Sequence, residues 1–291
     1  MSLLLGFAEY REQAMALARG AGWDYGEVAV HRFPDEECRV RVPAPLPPAV
    51  ALCRPLDHPD PKLVELLLAA AACRDQGVRE LTLVAPYLCY MRQDKAFHPG
   101  EAVSQRVVGG LLAGAFDALI TVDPHLHRVH RLAEAVPVER ASALSAAPLL
   151  GALAAGRCRD PVLVGPDAES EQWVRQAAEP RGLEWMVGRK ERRGDLEVVV
   201  RLPARDLRGR ELVLLDDVAS SGRTLEQAAL ALAGRGAASL SVAVTHALFV
   251  GDAMARLRAA GVGGIWSTDA VPHPTNAVPL APLLAPVLAA T

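Results

Sequence analysis

Residues 211–234 read ELVLLDDVASSGRTLEQAALALAG, and this stretch decides the fold that the sequence predicts. The apolar run at 212–215 is typical of a strand that is buried on both faces. Asp216 and Asp217 follow this run, then a short loop of small and polar residues, and then an Ala- and Leu-rich helix. A tight loop that leads from a buried strand into a helix N-terminus can bind an anion, because backbone N–H groups and the helix dipole favour negative charge there. The sequence therefore predicts an α/β fold with an anion-binding loop.

The loop carries phosphate donors, and the acidic pair before it indicates a second part of the same ligand. Gly222 permits a positive φ angle or a close backbone approach, and further donors are available on Ser220, Ser221, Arg223 and Thr224. Asp216 and Asp217 would repel a phosphate, so they are better suited to sugar hydroxyls or to a metal ion. A ribose 5-phosphate satisfies both requirements. The alternative is a capped helix behind a buried strand, and the full DDVASSGRT pattern favours the ligand.

Composition excludes several classes of function. The chain has 291 residues and a net charge of −3, which gives no electrostatic case for binding nucleic acid or an anionic membrane. Its five cysteines are scattered without a C-x-x-C pattern, which indicates reduced thiols. The N-terminus lacks the features of a signal peptide, and no apolar run could span a bilayer. We expect a cytoplasmic protein of about two domains.

DDVASSGRT resembles the ribose-phosphate loop of type I phosphoribosyltransferases and ribose-phosphate diphosphokinases. Two further segments resemble the diphosphokinases, closest to their shorter archaeal-type members. YMRQD at 90–94 is similar to their nucleotide-binding segment, and FPDEE at 33–37 is similar to their F-x-D-G-E segment. The resemblance implies that ATP is bound by Arg92, Gln93 and Asp94 and, across a subunit boundary, by Phe33, Asp35, Glu36 and Glu37. Glu36 stands where the family has glycine. Without the resemblance, the segment at 33–37 is better explained as a polar turn with an anchoring Phe, and the segment at 90–94 could equally be a solvated loop with a local Arg92–Asp94 ion pair.

The metal and the catalytic cations are also implied by the resemblance. VDPH at 122–125 resembles a V-D-x-H motif whose histidine helps to hold Mg-ATP, so His125 and Asp167 are expected to anchor Mg²⁺, an ion that prefers oxygen ligands. The alternative for Asp167 is a helix N-cap. For Asp123, His125, His127 and His130 the alternatives are a zinc site, although their spacing matches no general metal site, and the more common case of capping and solvated histidines. Lys190 and Arg192 match the K-x-R of the family's flexible catalytic loop.

The predicted fold class is α/β, with two similar doubly wound parallel-sheet domains of type I phosphoribosyltransferase-like fold. We expect residues 1–143 to form the nucleotide side and residues 144–276 to form the ribose 5-phosphate side. An apolar helical tail at about 277–291 is expected to pack on the first domain. We also predict a helix over 9–19 that ends at Gly20, a helix over 144–153 and a final strand over 264–267.

The resemblance implies transfer of the diphosphoryl group of Mg-ATP to the 1-hydroxyl of ribose 5-phosphate, giving 5-phosphoribosyl 1-diphosphate and AMP. The absence of a Walker A pattern from the sequence agrees with a sugar-phosphate loop. Two loop positions depart from the family, because Ser220 replaces a common Asp and Arg223 a common Gly. The alternatives are a type I phosphoribosyltransferase and a non-catalytic regulatory homologue. A homo-oligomer, a dimer or larger, is implied by the shared adenine pocket.

Overall fold

The computed structural model describes residues 2–126, 128–193 and 197–291, with backbone only for 190–193 and 197–200. The chain divides into two compact units. The first comprises the chain up to Leu144 together with Pro279–Thr291, and the second comprises Ser145–Val278. The sequence placed this boundary between residues 143 and 144 and the start of the returning tail at about 277.

The first unit is built on a seven-stranded sheet of order β3-β2-β1-β4-β5-β6-β7. All neighbouring strands are parallel except β2 and β3, which form an antiparallel hairpin at the sheet edge. The strands are β1 Ser2–Phe7, β2 Asp24–Arg32, β3 Cys38–Arg41, β4 Ala49–Cys53, β5 Glu80–Ala85, β6 Ala118–Val122 and β7 Arg140–Leu144. The helices are α1 Arg11–Ala21, α2 Pro59–Asp75, α3 Ser104–Ala115 and α4 Leu132–Ala135, with α9 Ala281–Ala289 from the C-terminal segment.

Gly20 does not end the first helix, as the sequence led us to expect. Helix α1 continues to Ala21, and Gly22 caps it with a φ of 70°. Gly20 instead permits close packing of α1 on α9, because a Cβ atom at this position would lie 2.9 Å from Cβ of Ala285. The tail is therefore joined to the first unit through a glycine contact that only the folded chain reveals.

The second unit contains a six-stranded, all-parallel sheet of order β15-β14-β13-β12-β8-β9. Its strands are β8 Val162–Gly165, β9 Glu184–Val187, β12 Glu211–Ala219, β13 Ser239–Ala247, β14 Gly264–Thr268 and β15 Asn276–Val278. Its helices are α5 Ala147–Arg157, α6 Glu171–Ala178, α7 Arg223–Leu232 and α8 Ala253–Ala259. A separate antiparallel pair consists of β10 Arg189–Arg193 and β11 Glu197–Arg201.

Both sheets bury apolar strands between helices, which is the doubly wound arrangement predicted from the sequence. Side chains of β12 from Leu212 to Leu215 are fully buried, which explains the continuous apolar run. Two predictions were wrong. The helix predicted over 144–153 begins only at Ala147, because Arg140–Leu144 forms the edge strand β7, and β14 is followed by a further edge strand, β15. None of the helices in the described ranges has the length and hydropathy needed to cross a membrane.

Candidate active site

The acidic pair lies within strand β12 and not after it. The strand continues to Ala219, pairing Asp216 with Val244 and Val218 with His246 of β13. Asp217 is 2% exposed, and Asp216 is partly exposed. The Asp217 N–H donates to Oδ1 of Asp216 over 3.1 Å. The strand extends because its backbone remains paired with β13, and the two carboxylates are held rigidly three or four residues before the loop at 220–222.

Gly222 forms the sharp corner between this strand and α7. It is the N-cap of the helix with a φ of 70° and offers no side-chain acceptor to the first turn. The carbonyl of Gly222 accepts from Glu226 N over 2.8 Å, so the first helical hydrogen bond begins at the loop. The first-turn N–H groups of an α-helix have no acceptor within the helix. Arg223 and Thr224 are the first two residues of this turn.

The carbonyls of the loop are held on one side by the segment after β13. Ala219 O accepts from the N–H groups of Leu248 at 3.0 Å and Phe249 at 2.8 Å, and Ser220 O accepts from Val250 N at 2.9 Å. In a trans peptide the N–H group points opposite to the preceding C=O. The N–H groups of Ser220 and Ser221 are therefore directed away from residues 248–250. Successive N–H groups arranged in this way, with a helix N-terminus behind them, form an anion-binding concavity.

The predicted nucleotide segment follows β5 at the carboxyl end of the first sheet. The Gln93 carbonyl accepts from Gln105 N over 3.2 Å, and its side-chain oxygen accepts from the Ser104 hydroxyl. These bonds tie the segment to the start of α3. Arg92 is exposed, so its guanidinium is accessible to a ligand.

Asp94 is bound differently from the local pair that the sequence allowed. Its side chain is 1% exposed, and Oδ1 accepts from Nη1 of Arg128 over 2.6 Å. Oδ2 accepts from the backbone N–H of Arg128 over 3.2 Å. The carboxylate therefore connects the nucleotide segment to the loop after β6. Nothing in the sequence pattern singled out Arg128.

The β2–β3 turn contains the four predicted adenine-side residues. Phe33 N donates to Glu37 O over 2.8 Å, and Glu36 N donates to Phe33 O over 3.0 Å. Glu36 has a φ of 71°, so the glutamate adopts the left-handed conformation that a glycine would adopt readily. Asp35 Oδ1 accepts from Glu37 N over 3.2 Å. Phe33 is 39% exposed, which leaves its ring available to stack on a base.

The two predicted metal anchors are in separate units. His125 is partly exposed and follows Asp123, whose N–H donates to Leu144 O over 2.8 Å. Asp167 caps the short helical turn at 168–170: its Oδ1 accepts from the N–H groups of Glu169 at 3.1 Å and Ser170 at 3.3 Å. The N-cap alternative for Asp167 is thus observed. His127, part of the alternative zinc pattern, lies outside the described residues, and among the others no three His, Cys, Asp or Glu side chains form a metal cluster.

Lys190 and Arg192 belong to strand β10, paired with Val200 and Val198 of β11. The sequence led us to expect these two cations on a loop over 188–195 between two strands, but the structure places them on a strand that pairs antiparallel with β11. Both side chains lie outside the described part of the structure, so their catalytic role stays a prediction.

The cysteine just before the predicted nucleotide segment has a protonated thiol at neutral pH. Cys89 is 2% exposed, and its burial raises the pKa of the thiol to about 12. A thiol with this pKa is protonated at neutral pH, and the thiolate is the nucleophilic form. The structure therefore indicates a packing role for Cys89.

Comparison with known proteins places this architecture in a family. The model for the N-terminal domain of ribose phosphate pyrophosphokinase matches residues 2–115, and the phosphoribosyl transferase domain model matches residues 143–258. Phosphoribosylpyrophosphate synthetase from Mycobacterium smegmatis has the same fold, with a TM-score of 0.83 and 24% identity over 100% of this chain and 98% of that one. The fold is thus two domains of the type I phosphoribosyltransferase kind, as the sequence predicted.

Curated relatives identify the family more narrowly. Ribose-phosphate pyrophosphokinase of Methanopyrus kandleri is 37% identical over 286 residues, 97% of either chain. Ribose-phosphate pyrophosphokinase 2 of Archaeoglobus fulgidus is 33% identical over 94% of either chain. The chain therefore belongs to the ribose-phosphate pyrophosphokinase family. The prediction of an enzyme of this class, which forms phosphoribosyl diphosphate, is confirmed.

Proposed function

We propose that the protein transfers the diphosphoryl group of Mg-ATP to the 1-hydroxyl of ribose 5-phosphate, giving 5-phosphoribosyl 1-diphosphate and AMP. The observation that carries the proposal is the loop at 220–222. Its N–H groups are directed away from the segment that binds its carbonyls, and two carboxylates precede it on the same strand. A phosphate and sugar hydroxyls are the ligand groups that such a pair of features would bind.

The 5-phosphate would accept hydrogen bonds from the loop and from the first turn of α7. Hydroxyl groups of Ser220, Ser221 and Thr224 add donors, and these bonds are charge-assisted. Arg223 has a 68% exposed side chain and lies 3.6 Å from Glu226. It can therefore reach a phosphate oxygen or remain paired with that carboxylate. The replacement of glycine by Arg223 does not crowd the corner, because Gly222 makes the turn.

Asp216 and Asp217 would hold the ribose hydroxyls, directly or through a metal. Their oxygen donors fit Mg²⁺, as does Asp167, and Mg²⁺ commonly keeps waters and takes only one or two protein carboxylates. The lack of a three-residue metal cluster among the described residues is compatible with this sparse mode of binding. Bound Mg²⁺ would supply charge neutralisation on the ATP phosphates, with His125 and Asp167 as the proposed anchors.

The nucleotide would be bound by the exposed Arg92 and by Gln93. We assign Asp94 an indirect part, because its carboxylate is buried against Arg128 and keeps the segment in place. Phe33, Asp35, Glu36 and Glu37 would complete the adenine pocket of a neighbouring subunit, which makes a homo-oligomer part of the proposal. Of these four, Phe33 offers an exposed ring, and Asp35 also shapes the turn.

In the reaction, the ribose 1-oxygen attacks the β-phosphorus of ATP and its proton is released. The bond between the β-phosphorus and the α,β-bridging oxygen breaks, and AMP leaves. Lys190 and Arg192 would neutralise the charge that develops on the transferred group. Phosphoryl transfer depends mainly on positioning and on such electrostatic stabilisation.

The proposal is tested by incubating the protein with Mg-ATP and ribose 5-phosphate and following AMP and phosphoribosyl diphosphate. Equal amounts of both products are expected, and neither should form with ribose in place of ribose 5-phosphate. AMP release without the sugar phosphate would contradict the proposal. Consumption of phosphoribosyl diphosphate with a purine or pyrimidine base would instead support a phosphoribosyltransferase. Binding of the substrates without turnover would support a regulatory homologue.

A further inference from the structure

Arg256 of helix α8 binds the back of the proposed phosphate loop. Its Nη2 donates to the carbonyl of Ser221 over 2.5 Å, and its Nε donates to Oε2 of Glu226 over 3.0 Å. Its Nη1 contacts the carboxylate of Asp252. The side chain is 19% exposed. It contacts three partners at once, Ser221, Glu226 and Asp252. Sequence analysis did not select this residue.

The contact with Ser221 controls the direction of one particular N–H group. Because the peptide is planar and trans, a Ser221 carbonyl directed towards Arg256 turns the Gly222 N–H to the opposite side. The preceding carbonyls, of Ala219 and Ser220, accept from backbone N–H groups at 248–250. Residues 248–250 thus fix the direction of the carbonyls of Ala219 and Ser220, and Arg256 fixes the direction of the next carbonyl, that of Ser221.

The peptide between Ser221 and Gly222 needs this support more than its neighbours. Glycine adopts positive and negative φ values with similar ease, so a peptide next to it rotates at low cost. Rotation of this peptide would turn the Ser221 carbonyl towards the phosphate and remove the Gly222 N–H donor. A carbonyl oxygen directed at a phosphate is repulsive, so the loop would lose one donor and gain an unfavourable dipole.

Charge balance supports the same role for Arg256. Glu226 is the fourth residue of α7, and its side chain is 15% exposed beside the proposed anion site. Arg256 pairs with this carboxylate from behind, and Arg223 lies 3.6 Å from it. Without Arg256, a partly buried negative charge would stand close to the phosphate with only the exposed Arg223 to offset it.

We infer that Arg256 is a positioning residue for ribose 5-phosphate: it fixes the Ser221–Gly222 peptide so that the Gly222 N–H is presented to the 5-phosphate. The inference rests on the proposed function of the loop. It concerns the sugar phosphate alone, because Arg256 and its partners belong to the second unit. The structure thus assigns to α8 a part in substrate affinity without direct contact with the substrate.

The test compares Arg256→Met and Arg256→Lys with Arg258→Met in the full-length enzyme. Arg258 is a matched control, because it lies on the same helix and also donates to backbone carbonyls, those of Val262 and Gly263. Loss of one well-placed charge-assisted bond should raise the KM for ribose 5-phosphate by roughly tenfold in Arg256→Met, with a KM for ATP within about twofold of wild type. Arg256→Lys should recover part of the loss, and Arg258→Met should match wild type in both KM values.

Repeating the assay in about 1 M KCl separates positioning from long-range charge, since the Debye length there is about 3 Å. The ratio of the two ribose 5-phosphate KM values, variant to wild type, should persist in high salt. A ratio close to one in high salt, or an equal rise in the KM for ATP, would overturn the inference. If Arg256→Met does not fold, Arg256→Gln replaces it and should raise the same KM, because the glutamine side chain is neutral and shorter than arginine; no change would count against the inference. Absence of AMP formation by the wild-type enzyme would instead overturn the proposed function, and the inference with it.

Discussion

Arg54 and Glu65 form an ion pair inside the first unit, with 2.6 Å between Nη2 and Oε2 and side chains that are 5% and 4% exposed. Arg54 also pairs with Glu9 over 2.7 Å, and its guanidinium lies 4.0 Å from the centre of the Phe7 ring. The second oxygen of Glu65 contacts Arg32, which donates to Glu36 O over 3.3 Å. The pair thus connects β4 and helix α2 to the turn that carries the proposed adenine contacts.

Glu65→Leu is expected to destabilise the first unit. The substitution removes one of the two carboxylates that pair with the buried Arg54, and breaking a buried ion pair costs at most about 3–5 kcal/mol of unfolding free energy. Urea unfolding measures the change. The control is Arg11→Met, which breaks the Arg11–Glu27 pair, where the side chains are 54% and 34% exposed. It should cost less than about 1 kcal/mol. A similar loss in both variants would show that burial does not set the strength of the Arg54–Glu65 pair.

Glu36→Gly should stabilise the protein slightly. The left-handed conformation destabilises a residue that has a side chain by roughly 1–2 kcal/mol. Glycine removes this strain, but its greater conformational freedom in the unfolded chain offsets part of the benefit. We therefore expect the free energy of unfolding to rise by about 0.5–1 kcal/mol. Thermal unfolding would show it as a small rise in Tm. Glu37→Gly, next to it without a positive φ, should give no gain. A lower Tm for Glu36→Gly would mean that the Glu36 side chain contributes more than the strain removes.

Gly222→Ala should weaken binding of ribose 5-phosphate. The position has a φ of 70°, and a Cβ atom would lie 3.2 Å from Cβ of Ala253. An alanine in this left-handed conformation is strained by about 1–2 kcal/mol, and the backbone would relieve the strain by moving the loop. Steady-state kinetics should show a higher KM for the sugar phosphate. Gly156→Ala is the control: this glycine lies in helix α5 with nothing within 4 Å of the new Cβ, so kinetics should be unchanged.

Lys190→Ala should reduce turnover by roughly 10²–10³, as when a preorganised transition-state donor is removed. The KM values should change little, because the cation is proposed to act on charge that develops during transfer. Arg189→Ala provides the control, since Arg189 begins the same strand and its side chain is exposed. Equal rates for wild type and Lys190→Ala, measured as AMP formed under saturation, would refute the assignment.

The stability of the second unit should decrease as the pH falls below the usual range of histidine. Burial lowers the pKa of His273 from its ordinary value of 6.5. Its Nδ1 accepts from Thr275 N over 3.2 Å, an interaction that protonation would break. The unfolded chain binds the proton more readily, so His273 favours folding above pH 6.5, and this contribution is lost as the pH falls through the folded-state pKa.

Urea unfolding between pH 5 and 8 tests the effect, compared with His273→Gln. The variant should show a flatter dependence of unfolding free energy on pH. If the free energy of unfolding changes with pH in the same way in both proteins, groups other than His273 cause the loss of stability in acid.

The local parts of the site were predictable because they follow from short-range chemistry. The signal lies within one short stretch, 212–224, which contains the apolar run of the strand, the two acids and the Gly-containing loop before the helix. The strand–helix alternation and the class of fold follow from periodicity in the same way. The sequence predicted that the strand ends at Leu215, which was wrong because the pairing partner, β13, is far away in sequence and holds the backbone as far as Ala219.

The sequence by itself determined the two parallel-sheet domains and the family, and it suggested the ligand-binding segments that we propose, since these depend on local patterns of polarity and turn residues. Only the tertiary structure decided which side chains support those segments. Asp94 and Arg128 are 34 residues apart, and Ser221 and Arg256 are 35 apart. Such pairs leave no periodic signal, because the meeting of two side chains depends on how strands order within a sheet and how helices pack on it.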